Sequence, residues 1–303
     1  MMNIDDIRIN FNSDNLWLVN FALALVMFGV ALDIKVSDFT SLIKSPRPVI
    51  IGIVTQFILI PLVSYLFILV IQPEPSVALG IMMVAACPGG NVSNFMTKMA
   101  GGNTALSVSL TAFATLAALV MTPLNFALYG NLYAPTAEIL KSVSLDPFEV
   151  LKLILLILGI PLFFGVLINH YKPIFSKKIS KILKPVSVVI FLSFIIIAFL
   201  NNFNIFIEHI HLVLFIVLGH NALLLSTGFL TARFGGLDYI DQKTISIESG
   251  IQNSGLGLML VFTFFDGLGG MALLVAFWAI WDIVSGLLIA FFWSEKRMKT
   301  AKA

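Results

Sequence analysis

Two apolar stretches long enough to cross a bilayer are each broken near the middle, one at CPGGNVSN (87–94) and one at ESGIQNSG (248–255). Backbone has no water to bond at that depth. An N–H or C=O freed by Pro88 or by the neighbouring glycines is therefore tolerated only where it lines a polar cavity or holds a ligand. The membrane setting itself follows from composition: 59% of the 303 residues are apolar and 11% are charged, with a mean hydropathy of +1.01. No soluble domain has that balance. The apolar runs are helix-length, which predicts an all-α bundle and not a β-barrel of short alternating strands. A lone cysteine, Cys87, excludes an internal disulfide.

A window of about twenty residues places spans near 16–34, 48–71, 77–99, 104–128, 149–169, 185–203, 210–231, 244–265 and 270–293. Nine spans make the connections alternate between two sides. Fifteen of the eighteen Lys and Arg then share one side, and only Arg8, Lys141 and Lys152 fall on the other. A missed or invented span would scramble this bias. By the positive-inside rule the basic side is cytoplasmic. The N-terminal tail (1–15) is thus expected outside, the C-terminal tail (294–303) inside, and the whole in the cell's inner membrane. Ile4, Ile7 and Phe11 share a face, so residues 1–15 are read either as a short interfacial helix or as a frayed tail. Their acidic residues, Asp5, Asp6 and Asp14, speak against a cleavable signal peptide. Lys172 to Lys184 reads as a solvated cytoplasmic loop.

The broken spans, third and eighth, enter the membrane from opposite sides. Each carries a glycine followed by polar residues, Gly90-Asn91-Val92-Ser93-Asn94 and Gly250-Ile251-Gln252-Asn253-Ser254. Paired broken spans of opposite direction point to an inverted-repeat transporter with its site at the midplane. A simple kink would account for CPGG, but it does not need Glu248. A carboxylate at mid-membrane costs about 2.5–3.5 kcal/mol on insertion scales, and no Lys or Arg lies inside an apolar segment except near its ends. A small hard cation is the natural partner. Ser93, Asn94, Ser107, Thr111 and Gln56 supply the neutral oxygens such an ion prefers, and Ser107 and Thr111, four apart, share a helix face. His220 reads as an interhelical hydrogen-bonding residue.

At these residues the chain resembles a known family. PGGNVSN, ALSVSLT (105–111) and DQKTISIESGIQNSG (241–255) are similar, in order and separation, to signature segments of the bile acid:sodium symporter family. The likeness extends over nearly the whole chain, through MFGVALDIKVSDF (27–39), IIGIVTQFILIP (50–61) and the pair His220-Asn221. It implies a core of six helices (about 48–128 and 210–293) containing two crossing broken helices, beside a panel of three (about 16–34, 149–169 and 185–203). It also implies two sodium ions, the first held by Ser93, Asn94, Ser107, Thr111 and Glu248. The second would be held by Gln56, Glu248, Gln252 and the backbone carbonyls of Ser249 and Ile251. An organic anion, bile-acid-like or a small carboxylate, is implied between core and panel at Asn91 and Asn253, where half-helix N-termini offer N–H groups. Asp282 departs from the pattern, standing where similar bacterial members carry a histidine. It is grouped with the substrate contacts, either as a residue that alters charge preference or as one that titrates.

The function so implied is sodium-coupled symport into the cytoplasm by alternating access, with Na⁺, an organic anion and the bilayer as partners and neither catalysis nor nucleic acid involved. The alternative is an oxyanion or arsenite-type efflux carrier using Cys87 as a thiol ligand. Glu248 and Asp282 lack the flanking signature of an intramembrane aspartyl protease, and pseudo-symmetry internal to one chain speaks against a channel.

Overall fold

Apart from one isolated bridge, helix is the only regular structure in the computed structural model, which describes residues 4–5, 16–35, 46–142, 152 and 155–300. The helices are α1 (Leu16–Ala31), α2 (Pro46–Ile71), α3 (Pro75–Ala86), α4 (Asn91–Met99), α5 (Thr104–Leu132) and α6 (Ala134–Ser142). Then follow α7 (Ile160–Tyr171), α8 (Pro173–Asn201), α9 (Phe203–Phe234), α10 (Tyr239–Gly250), α11 (Ser254–Phe264) and α12 (Gly269–Thr300). Thr55–Leu59 within α2 and Leu155–Gly159 before α7 are π turns. Most of the N-terminal tail, the opening of the fifth expected span and residues 301–303 lie outside the described residues.

Among the described residues, four helices are long and apolar enough to cross a membrane alone: α2, α5, α9 and the Gly269–Ser294 part of α12. The twelve residues of α3 and eleven of α11 cover well under the about 30 Å of hydrocarbon at 1.5 Å per residue. Each therefore needs its partner half, α4 or α10, to complete a crossing. Both predicted breaks are thus present.

The broken helices occupy the interior. Every residue of α3 from Ser76 to Ala86 is buried, as are Thr244–Gly250 of α10 and Leu256–Phe262 of α11. The outer helices instead expose large apolar side chains such as Val70, Phe215 and Phe234. That inversion is what a lipid surround permits. Among the described residues, α1, α7 and α8 pack on one another, and α3 packs with α2, α5 and α12. The α1–α7–α8 group is joined by polar bonds at one end: Asn169 Nδ2 donates to Ile34 O (2.8 Å), Ser176 Oγ to Leu32 O (2.7 Å) and Ser180 Oγ to Asp33 Oδ1 (2.7 Å).

Those serines correct one expectation. The lysine-rich segment 172–184 is not a loop, because α8 starts at Pro173, a residue suited to the first helical turn. Lys177, Lys178 and Lys181 stay exposed while Ser176 and Ser180, four apart, turn inward. The final helix likewise runs on to Thr300, past the expected end of its span at 293. In the N-terminal tail, Ile4 is buried and Asp5 Oδ1 accepts from Ser76 N at 2.8 Å, so a carboxylate sits at the positive end of α3.

Candidate cation site

The two breaks cross each other. Gly89 and Gln252 form an antiparallel bridge, with Gly90 N donating to Ile251 O (2.9 Å) and Asn253 N to Pro88 O (2.8 Å). Two N–H groups and two carbonyls freed by the breaks thereby satisfy one another, which answers the backbone problem posed by the sequence. Glycine is required here by contact: a Cβ at Gly90 would meet Gln252 O at 3.0 Å.

The remaining half-helix ends are capped from neighbouring helices. Thr122 Oγ1 donates to Ala86 O (2.7 Å) at the end of α3, and Asn221 Nδ2 to Gly250 O (2.8 Å) at the end of α10. Trp281 Nε1 in turn donates to Asn221 Oδ1 (3.2 Å), fixing that amide. Asn125 Nδ2 donates to Phe57 O (3.0 Å), a carbonyl of the α2 π turn. Thr122 and Asn125 were not singled out from the sequence. A polar side chain on a lipid-length helix, one to two turns from any other, was the available signal.

Beside the crossing, all five residues of the first expected ion site converge. Glu248 is buried. Its Oε2 accepts from Ser93 Oγ (2.6 Å) and Ser107 Oγ (3.0 Å), and its Oε1 accepts from Thr111 Oγ1 (2.5 Å). Asn94 Oδ1 lies 2.8 Å from Ser107 Oγ and 3.3 Å from Thr111 Oγ1, and Thr111 Oγ1 is also 3.0 Å from Ser107 O. Three hydroxyl protons thus face six oxygen contacts. A cluster with more lone pairs than protons, built on one carboxylate with no basic partner among the described residues, has the donor set of a hard cation.

The second expected set is assembled less completely. Gln56, displaced inward at the π turn, donates through Nε2 to Cys87 O (2.9 Å) and to Gln252 Oε1 (3.0 Å). Gln252 Nε2 donates to Ser249 O (2.6 Å), and Ile251 O is the acceptor of the crossing bond from Gly90. Gln56, Gln252, Ser249 and Ile251 therefore adjoin, while the carboxylate of Glu248 turns to the first set. Among the described residues, Gln56 Oε1 is buried without a partner. His220 Nε2 meets Ser64 Oγ at 2.6 Å, linking α9 to α2.

Of the expected substrate contacts, Asn91 opens α4 and is exposed. Asn253 caps α11, its Oδ1 accepting from Leu256 N at 3.0 Å. Asp282 is buried, 4% exposed. An apolar cavity of about 610 Å³ lies between α5 and the α7 region, lined by Leu116, Leu119, Gly159, Phe163, Leu167 and His170 among others. Leu116 follows Thr111 by five residues on α5, about 8 Å along the axis at 1.5 Å per residue.

The model of the Sodium Bile acid symporter family matches residues 20–209. The chain is 33% identical over 284 residues to YocS of Bacillus subtilis (strain 168), described as an uncharacterized sodium-dependent transporter, covering 93% of this chain and 84% of that one. It is 28% identical over 243 residues to the human ileal sodium/bile acid cotransporter (79% and 67%). To the Bos taurus sodium-dependent organic anion transporter it is 31% identical over 236 residues (76% and 60%). The chain belongs to the sodium bile acid symporter family, a family of multi-pass membrane transporters coupled to sodium and not of enzymes.

Proposed function

We propose that this protein carries an organic anion into the cytoplasm together with two sodium ions, crossing an inner membrane nine times with its N-terminus outside. The observation that carries the reading is the convergence of Ser93, Asn94, Ser107 and Thr111 on buried Glu248. An oxygen cage around one carboxylate is a cation site, and its position beside the crossing couples it to both halves of the chain.

In this reading the first ion replaces the hydroxyl-to-carboxylate contacts of Ser93, Ser107 and Thr111, tying α4, α5 and α10 together. The second is held at Gln56, Gln252 and the carbonyls of Ser249 and Ile251, with Glu248 shared. Ion binding stiffens the crossing, and the N-termini of α4 and α11, at Asn91 and Asn253, then present N–H groups to the anion. The core comprises α2–α5 and α9–α12, the panel α1, α7 and α8. The packing of α1, α7 and α8 on one another, and the apolar cavity between α5 and α7, support a substrate cleft between two such bodies. Rocking of core against panel opens that cleft to either side in turn. The efflux alternative gains nothing from Cys87. That residue is fully buried and its Sγ lies toward Gly257, whose Cβ position is 3.4 Å away.

The test is uptake by proteoliposomes of steroid conjugates and small carboxylates, each with inward Na⁺ or K⁺ gradients. Uptake driven by Na⁺ alone and lost in Glu248→Gln is expected. Equal uptake in K⁺, or full sodium dependence in Glu248→Gln, would sink the reading.

A further inference from the structure

The first ion set draws its oxygens from three helices, and a second set of bonds joins the same three about one turn away. On α10 Thr244 precedes Glu248 by four residues, on α5 the N-cap Asn103 precedes Ser107 by four, and on α4 Thr97 follows Ser93 by four. Each pair therefore shares a helix face, about 6 Å apart along the axis at 1.5 Å per residue. Asn103 N donates to Thr244 Oγ1 (2.7 Å) and Asn103 Nδ2 to Asp241 Oδ1 (2.9 Å), binding the start of α5 to α10 twice through one residue. The same side chain caps α5, its Oδ1 accepting from Leu106 N at 3.1 Å.

Lys243 fastens α4. Its Nζ donates to Ala100 O (2.6 Å) and Gly101 O (2.9 Å), the two carbonyls that follow the last residue of that helix. Lys243 is buried, a rare state for lysine, and a cation there also complements the negative end of α4. Gly101 turns the chain with a φ of +67°, and Gly102 N returns to Thr97 O (2.8 Å). A Cβ on Gly102 would stand 2.8 Å from both Thr244 Oγ1 and Thr97 Cγ2, so the turn sits directly on α10 and α4. The other end of α4 is bonded through the crossing, from Gly90 N to Ile251 O. This nine-residue helix, about 13.5 Å long, is thus tied at both ends to the segment that carries Glu248.

Sodium and potassium take the same oxygens, so an oxygen cage separates them only through its size and its stiffness. Ligands hold such a size when a surrounding set of bonds fixes the elements that carry them. We propose that Lys243, with Thr244, Asp241 and the turn 100–103, is a clamp that sets the width of the first ion cage and thereby its selectivity for sodium. Lys243 is a positioning residue, acting through the backbone of the turn. The inference rests on the cation-site reading above and goes beyond it, assigning selectivity to residues outside the cage. Its sign is distinctive. A lysine acting through charge alone repels a cation, and its removal would tighten sodium binding, whereas loss of a clamp weakens it.

The test is titration of the full chain in nanodiscs with NaCl and with KCl, at ionic strength held constant by choline chloride, reading the saturation midpoints by thermal shift. In wild type the sodium midpoint should lie well below that of potassium. Lys243→Met, which keeps the stem and removes the donor, should raise the sodium midpoint about tenfold or more, the usual effect of losing a residue that orients metal ligands. The potassium midpoint should move far less, so the ratio of the two falls. Lys243→Arg, still able to donate to two carbonyls, should keep the ratio. Thr244→Val, which removes the acceptor of Asn103 N, should lower it as Lys243→Met does and serves in its place should that protein not fold. The proposal is overturned if the folded variant keeps the wild-type ratio whatever its melting temperature, if it binds sodium as tightly as wild type or more so, or if Lys243→Arg loses selectivity as fully as Lys243→Met. A wild type that responds to neither cation sinks the cation-site reading and this inference together, an outcome distinct from a selective wild type beside equally selective variants.

Discussion

A Cβ built on Gly89 would stand 2.6 Å from Oε1 of Glu248, and 3.1 Å from that residue's backbone oxygen. The first break is thus pressed against the acid that anchors the second, and only a residue without a side chain fits. Gly89→Ala should push the carboxylate off its three hydroxyls. Overpacking of this kind costs about 1–3 kcal/mol, and at 1.4 kcal/mol per tenfold sodium affinity should fall roughly tenfold. Sodium-dependent thermal stabilisation reads this directly, and an unchanged midpoint would disprove the contact.

In the ion-bound state the hydroxyl oxygens of Ser107 and Thr111 turn from the carboxylate to the ion, so Ser107→Ala and Thr111→Val each remove an oxygen contact to a charged group, worth about 1.5–3 kcal/mol. Each should weaken sodium binding by about ten- to a hundredfold. Both hydroxyls also lie near Asn94 Oδ1, so the double variant should fall short of the sum of the two. Isothermal titration of the single and double variants measures the coupling; strict additivity would mean that the oxygens do not act as one cage.

Thr122→Val and Asn221→Leu remove the donors that close Ala86 O and Gly250 O. A buried carbonyl left unpaired costs about 1–3 kcal/mol, so the melting temperature should drop by several degrees. Selectivity for Na⁺ over K⁺ should survive, because neither side chain faces the Glu248 cluster. Loss of selectivity at unchanged stability would reverse these roles.

Orientation is open to a labelling test in a Cys87→Ser background. A membrane-impermeant maleimide applied to right-side-out cells should modify a cysteine at Lys141, on the sparsely basic side, and spare one at Lys178. The opposite pattern would invert the topology read from charge.

Much of this fold was legible because lipid imposes a strict rule. Glu248 in an apolar run demanded partners, and Ser93, Ser107 and Thr111 were the oxygens in reach of a broken helix, so the cage could be read from residue types. The Gln56–Gln252 set was legible only as membership: which amide end faces which neighbour depends on a contact across 196 positions of chain, which no local pattern encodes. The segment 172–184 misled for a different reason. Lysine spacing compatible with a loop is equally compatible with one face of a helix, and the deciding contacts, Ser176 and Ser180 against Leu32 and Asp33, are tertiary. Asp282 was visible as an oddity, but the depth of its burial is a property of its surroundings alone.

The π turn at Thr55–Leu59 has a consequence for how α2 tolerates change in length. A π turn accommodates one residue more than the α-helical ladder on either side of it, and one residue corresponds to about 100° of helical phase. Removing a single residue anywhere else in Pro46–Ile71 would rotate one half of the helix against its neighbours and turn a lipid-facing stripe inward. Removing one within the π turn would instead restore regular winding, leave both halves in phase with their surroundings, and withdraw only the amide of Gln56 from beneath Cys87. The helix thus carries its single adjustable point at the position where it touches the crossing.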